Sequence, residues 1–216
     1  MDKFAKLGEY CLNEACRGYG KFQSGQNQRN LQKVGKTLQQ GQTRMSVEYC
    51  VNEANENCAI RLIIGPSPRK IQLPAGYRLT SGHGVALKEG KEAILFAYGP
   101  VMLHEALLAS EFLAERDFGL KVINLPWLNR VDPTWLEEII APYGLVFVLE
   151  DHAPIGGLSD HLLSLLAAGH KNPLANHRLI KFAVECYPDC GTPSEVLSFH
   201  RLDGASLAEL ILEASD

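Results

Sequence analysis

From residue 85 onward, short apolar runs alternate with longer stretches of helical periodicity. Ala93–Ala97, Leu120–Asn124 and Leu145–Leu149 are runs of five, and the first and third are apolar throughout. A run that short, without polar alternation, suits a strand buried on both faces of a parallel sheet. Residues 179–184 predict a fourth such strand, and Val85–Lys88 a short edge strand. Between them the period changes. Residues 101–115 predict a long amphipathic helix, and residues 133–141 a second, with Asp132 as N-cap and Pro133 in the first helical position. Leu158, His161, Leu162, Leu165 and Leu166 share one face of a third helix over Leu158–Ala168. Residues 206–214 close the chain as a fourth. Strands and helices alternate at βαβ spacing, which predicts a three-layer α/β/α sandwich, a mostly parallel sheet of about five strands, with right-handed crossovers.

Upstream the pattern weakens. Residues 44–54 predict a helix with Met45, Val47, Cys50, Val51 and Ala54 inward, and residues 59–64 a short apolar strand. Gly65-Pro-Ser-Pro-Arg69 breaks that strand, since proline cannot continue a ladder. Residues 1–43 stand apart. Asp2 to Cys16 has the makings of a short helix. From Arg17 to Arg44 the cations Arg17, Lys21, Arg29, Lys33, Lys36 and Arg44 occur with no acid between them, among glutamines and glycines. So little apolar surface cannot offset the entropy of ordering a chain. The organisation read here is a basic Gln/Gly-rich arm over 1–43, a helix, strand and linker over 44–74, and a main domain over 75–216. The arm is a solvated segment, a basic contact for an anionic partner, or a piece that packs against other protein.

Composition narrows the function classes. The chain has 216 residues, 46% hydrophobic and 21% charged, with a net charge of −4. These values are ordinary for a soluble domain and leave no footprint for nucleic acid. No apolar run approaches the roughly 20 residues needed to span a bilayer, and residues 1–8 hold no secretory signal core. The cysteines, at 11, 16, 50, 58, 186 and 190, form no compact disulfide or zinc spacing. That predicts a reducing, cytoplasmic setting and no metal site.

Candidate chemistry concentrates in the loop after Leu145–Leu149. Ligands of open α/β sheets bind at the carboxyl ends of the strands. Here the loop supplies Glu150, Asp151, His152 and the pair Gly156, Gly157 ahead of a helix. Three readings fit: an anion site on the helix N-terminus, a tight strand-to-helix crossover, or an interface loop. The two acids argue against a phosphate. Ser159 beside Asp160 and His161 is no catalytic triad, because neighbours along a helix diverge by about 100°. Glu137 and Glu138 fail as a facing carboxylate pair for the same reason. Trp127 and Trp135 read as core or interface residues. No residue is assigned a catalytic role.

Three stretches resemble the C-terminal domain of the transketolase superfamily, which includes transketolase, 1-deoxyxylulose-5-phosphate synthase and the β chains of 2-oxoacid dehydrogenases. Gly84-Val-Ala-Leu-Lys-Glu-Gly90 before residues 93–99 resembles that domain's opening hairpin and first strand. Residues 101–119, then Leu120-Lys-Val-Ile-Asn124, resemble its first helix and second strand. Val148-Leu-Glu-Asp-His152, then Ile155-Gly-Gly-Leu158, resembles its acidic-His-Gly-Gly loop and is the most specific of the three. Residues 45–65 resemble the last helix and strand of the preceding pyrimidine-binding domain.

The resemblance implies a parent enzyme that uses thiamine diphosphate and Mg²⁺ for two-carbon ketol transfer or related C–C bond chemistry. It implies that this chain supplies a structural and dimerisation domain, inactive alone. The sequence carries no Gly-Asp-Gly motif of the kind that holds the metal and diphosphate, so no cofactor is expected on this chain by itself. Where related enzymes carry an arginine just before the glycine of the last pyrimidine-domain strand, this chain has Ile64. Arg61 stands at the other position where some relatives are basic, and is the candidate remnant of a substrate-side group. The expected partner is a second copy or the complementary N-terminal part. The alternative from a different class is a free-standing α/β module that binds a nucleotide or small anion at the 150–157 loop. A further one is an adaptor that uses its basic arm.

Overall fold

The computed structural model describes residues 41–54, 58–61, 67–168, 176–187 and 190–215. The chain divides into two compact units, Met1–Ile60 and Arg61–Asp216. The described part of the first unit is dominated by helix α1, Gly41–Asn52, which begins inside the span read as an arm. Cys50 lies near its end. Burial and a hydrogen bond with Cys58 push the Cys50 thiol up to about 12. The expected helix over residues 2–16 and most of the expected arm fall outside the described residues. So do residues 62–64 of the strand expected at 59–64, and residues 59–61 have no regular structure.

The second unit is built on five strands: β1 (Val85–Lys88), β2 (Ala93–Ala97), β3 (Leu120–Asn124), β4 (Leu145–Leu149) and β5 (Arg178–Phe182). Helices α2 (Pro100–Ala114), α3 (Pro133–Ile140), α4 (Leu158–Ala168), α5 (Pro193–Phe199) and α6 (Gly204–Ser215) follow in the same order of the chain. The sheet order is β1-β3-β2-β4-β5. β2 pairs in parallel with β3 and β4, and β4 with β5, while β1 joins β3 antiparallel with a register shift between Ala86 and Lys88. Every residue of β2 is buried, as its unbroken apolar run predicts for a central strand.

Alternate residues of the strands enter two cores. Leu95, Val122, Phe147 and Leu149 pack with Leu103, Ala106 and Leu113 of α2 and with Leu207 and Ile211 of α6. Ile94, Phe96, Ile123, Val146 and Val148 pack with Leu136 and Ile140 of α3 and with Leu158, Leu162 and Leu166 of α4. Helices therefore cover both faces, and the three-layer α/β/α sandwich is the fold. The strand expected at 179–184 spans Arg178–Phe182. Helix α5, absent from the sequence expectation, opens with a capping box between Thr192 and Glu195.

The connection from β2 runs to β3 on one side, over α2. The connections from β3 and β4 run the other way, over α3 and α4. The direction reverses between β2 and β4, so the crevice of this doubly wound sheet lies at their carboxyl ends. Residues 98 and 150–157 sit there.

Candidate functional site

The loop is assembled around Glu150, which is fully buried. Its carboxylate accepts the N–H of Leu158 at 2.7 Å and of Ser159 at 3.3 Å, and the Ser159 hydroxyl donates to it as well. Glu150 thus caps α4 from the end of the preceding strand and meets the orphan donors that every helix start leaves. Gly157 is required by this arrangement, because a Cβ there would lie 2.0 Å from Glu150 Oε2. Gly156 is required for another reason. Its φ is +79°, a conformation that side chains disfavour, and nothing lies within 4 Å of a Cβ built on it. The pair is one glycine for space and one for backbone rotation.

The Gly156 N–H donates to Asp160 Oδ2 at 2.7 Å. Asp160 also pairs with Lys181 of β5, whose Nζ donates to the Pro154 carbonyl at 3.1 Å. The Lys181 hydrogen bond, then the Gly156 amide, holds the Asp160 carboxyl below its ordinary value. The Val184 N–H donates to the His152 carbonyl at 2.9 Å, and the His152 ring folds onto the Ala153 carbonyl. The loop is therefore pinned at both ends and along its length.

Asp151 turns toward the crevice. Arg61 grips it through two hydrogen bonds of 2.8 and 2.9 Å, the bidentate geometry in which guanidinium and carboxylate fit best. Tyr98, at the end of β2, is nearly buried beside them. Burial first, then the charges of Asp151 and Glu150, raises its phenol above the ordinary value, while Arg61 opposes the shift.

The structure brings Glu150, Asp151, Gly156, Gly157 and Arg61 together and leaves His152 on the rim. Sequence reasoning missed Tyr98 and Lys181. Each lies at or near the carboxyl end of a strand beside the switch point, so the topology alone would have marked them. Trp135 packs into the core, stacked on His83 with centroids 5.5 Å apart and edge-on to Phe96.

This geometry limits the chemistry. The amides that an anion would need at α4 are taken by Glu150 and Asp160, so an anion would have to displace those carboxylates and meet their charge. Among the described residues no group of three or more His, Cys, Asp or Glu side chains is arranged to hold a metal ion. Nor is any described helix long and apolar enough to cross a membrane. A depression of about 320 Å³, lined by Lys91, Glu92, Ser110, Asp117 and Phe118 among others, lies at the opposite end of the sheet, by the amino ends of β2 and β3. Among the exposed residues of the 150–157 loop the one large apolar side chain is Ile155, 80% exposed.

The fold and strand order define an open, doubly wound α/β domain with Tyr98, Glu150 and the Arg61–Asp151 pair at its crevice. The family model described as transketolase, C-terminal domain, matches residues 82–206, and the chain belongs to that family. A putative transketolase C-terminal section of Methanocaldococcus jannaschii is 31% identical over 134 residues, 61% of this chain and 40% of that protein. A 1-deoxy-D-xylulose-5-phosphate synthase of Polaromonas sp. is 28% identical over 161 residues, 74% of this chain and 24% of that enzyme. Among solved structures, a split-gene transketolase in the form of an inactive beta4 tetramer aligns with a TM-score of 0.57 at 25% identity, covering 66% of this chain and 46% of that one. The chain thus spans less than half the length of these relatives.

Proposed function

We propose that this chain is the C-terminal structural and dimerisation section of a thiamine-diphosphate-dependent, transketolase-like enzyme. The parent reaction is transfer of a two-carbon ketol unit or a related C–C bond step, and this section is inactive alone. Its partners are a second copy and the complementary part that carries the cofactor. The observation that carries the reading is the 150–157 loop, where Glu150 and the amides are used in shaping the loop and Asp151 is held by Arg61, while Ile155 faces outward. Family membership supports the parent enzyme, and the split-gene transketolase, itself an inactive beta4 tetramer, supports a section that associates without activity. Cys50, Cys58, Cys186 and Cys190 stand outside any disulfide, which suits a reducing cytoplasm.

Size-exclusion chromatography with light scattering tests the association, and the expected result is a stable oligomer. Calorimetric titration with thiamine diphosphate and Mg²⁺ is expected to give no binding heat. A monomer that binds the cofactor would sink the reading. A monomer that instead binds a nucleotide or sugar phosphate, in a way that Glu150→Gln strengthens by removing a negative charge, would establish the free-standing binding module.

A further inference from the structure

The segment after β5 carries a second constellation that the assembly role does not use. Cys186 is exposed, and its Sγ lies 3.6 Å from His200 Nδ1, within the reach of a hydrogen bond to sulfur. His200 is fixed rather than free. It is the C-cap of α5, and its N–H donates to the carbonyls of Val196 and Ser198. The next residue, Arg201, turns back with a φ of +55° into the buried Leu202. The ring meets Phe199 edge-on with centroids 5.0 Å apart, and its Nε2 is buried without a hydrogen-bond partner. The imidazole therefore has one working nitrogen, and the thiol stands on it. Access is open, since the neighbouring Tyr187 is 94% exposed.

A nucleophile held against a fixed base is the arrangement that activates a thiol. The proton taken up by His200 arrives at the carboxyl end of α5, the end at which a helix favours positive charge. An unstructured thiol, N-acetylcysteine, serves as the comparison.

We propose that Cys186 and His200 form a nucleophile–base pair, a modification site that takes low-molecular-weight disulfides. Nδ1 of His200 accepts the thiol proton, and the Cys186 sulfur attacks one sulfur of the disulfide RSSR. The new Cys186–S–S–R bond forms as the RS–SR bond breaks. The departing RS⁻ recovers the proton from the imidazolium as RSH. The cysteine sulfur is oxidised and the leaving sulfur reduced, so no further oxidant is needed.

The experiment exposes the full reduced chain to oxidised glutathione at neutral pH and follows mixed-disulfide formation by peptide mass mapping. Cys186 is expected to react about tenfold faster than N-acetylcysteine at the same pH, and His200→Gln to slow Cys186 at least about fivefold. Loss of the fold in the variant would instead speed every thiol, including the half-buried Cys50. His200→Asn serves as a second variant with the same expected loss. The proposal is overturned if Cys186 reacts no faster than N-acetylcysteine, or if neither folded variant slows it. It stands or falls independently of the assembly reading.

Discussion

At the scale of single residues, Glu150 and Gly157 define the loop. The carboxylate is buried and accepts three donors, all from the first turn of α4. Glu150→Ala leaves those donors without a partner in a place water does not reach, and is expected to destabilise the domain by about 3 kcal/mol. Gly157→Ala forces the carboxylate out of its seat, since the new methyl would lie 2.0 Å from it. It is expected to cost about 2 kcal/mol or more. Gly156→Ala acts through the backbone alone and is expected to cost about 1 kcal/mol. Urea unfolding of the three variants ranks them, and an unchanged midpoint for Gly157→Ala would show that Glu150 does not hold this position.

At the scale of elements, α4 is stitched to β5 by Asp160 and Lys181. The Asp160 carboxyl titrates below its ordinary 3.8, chiefly because Lys181 bonds to it. Its stabilising contribution is therefore complete above pH 3.8 and is lost as pH falls through the lower folded value. Glu111, paired with Arg69, and Glu195, in the capping box of α5, are depressed below their ordinary 4.5 and act in the same direction. Asp160→Asn is expected to lower the plateau near neutrality and to flatten part of the acid-side loss, so that variant and parent converge as pH falls. Thermal melts between pH 3 and 7 measure both, and a parallel loss in variant and parent below pH 4 would overturn it.

The same scale shows what the chain made legible. The runs Ala93–Ala97 and Leu145–Leu149 were readable because a strand buried on both faces needs no alternation. The two ends of α4 were readable because its apolar face has helical spacing and glycines precede it. Helix α5 was not, because no residue in it is buried and its short span gives no period to detect. Its Thr192-Pro193-Ser194-Glu195 signature was the available signal. The pairing of Arg61 with Asp151 bridges ninety positions of sequence. Local pattern does not encode such a contact, which follows from where the sheet reverses direction.

At the scale of the molecule, the loop is a rigid body with one apolar side chain facing water. Lys181 and Val184 fix it from the β5 side, Asp160 from α4, and Glu150 from within. A preorganised loop loses little entropy on docking, which is where an exposed anchor residue is most effective. Ile155→Asp is expected to weaken association of the chain at least about tenfold. It should leave the thermal unfolding of the domain nearly unchanged, since the side chain is 80% exposed. Dilution series by light scattering, with melts alongside, separate the two effects. Equal association by variant and parent would move the interface elsewhere on the domain.

The contact between Glu150 and Gly157 has a genetic consequence. A methyl at 157 is harmful while the long carboxylate is present, and a shortened acid at 150 leaves the helix poorly capped while 157 is bare. Neither position improves by changing first. Glu150→Asp with Gly157→Ala is expected to be less damaging than the sum of its parts, since the shorter side chain vacates the space that the methyl fills. Substitutions in this loop should therefore be inherited as a pair, and a library that randomises one of the two positions alone should return the parent residue.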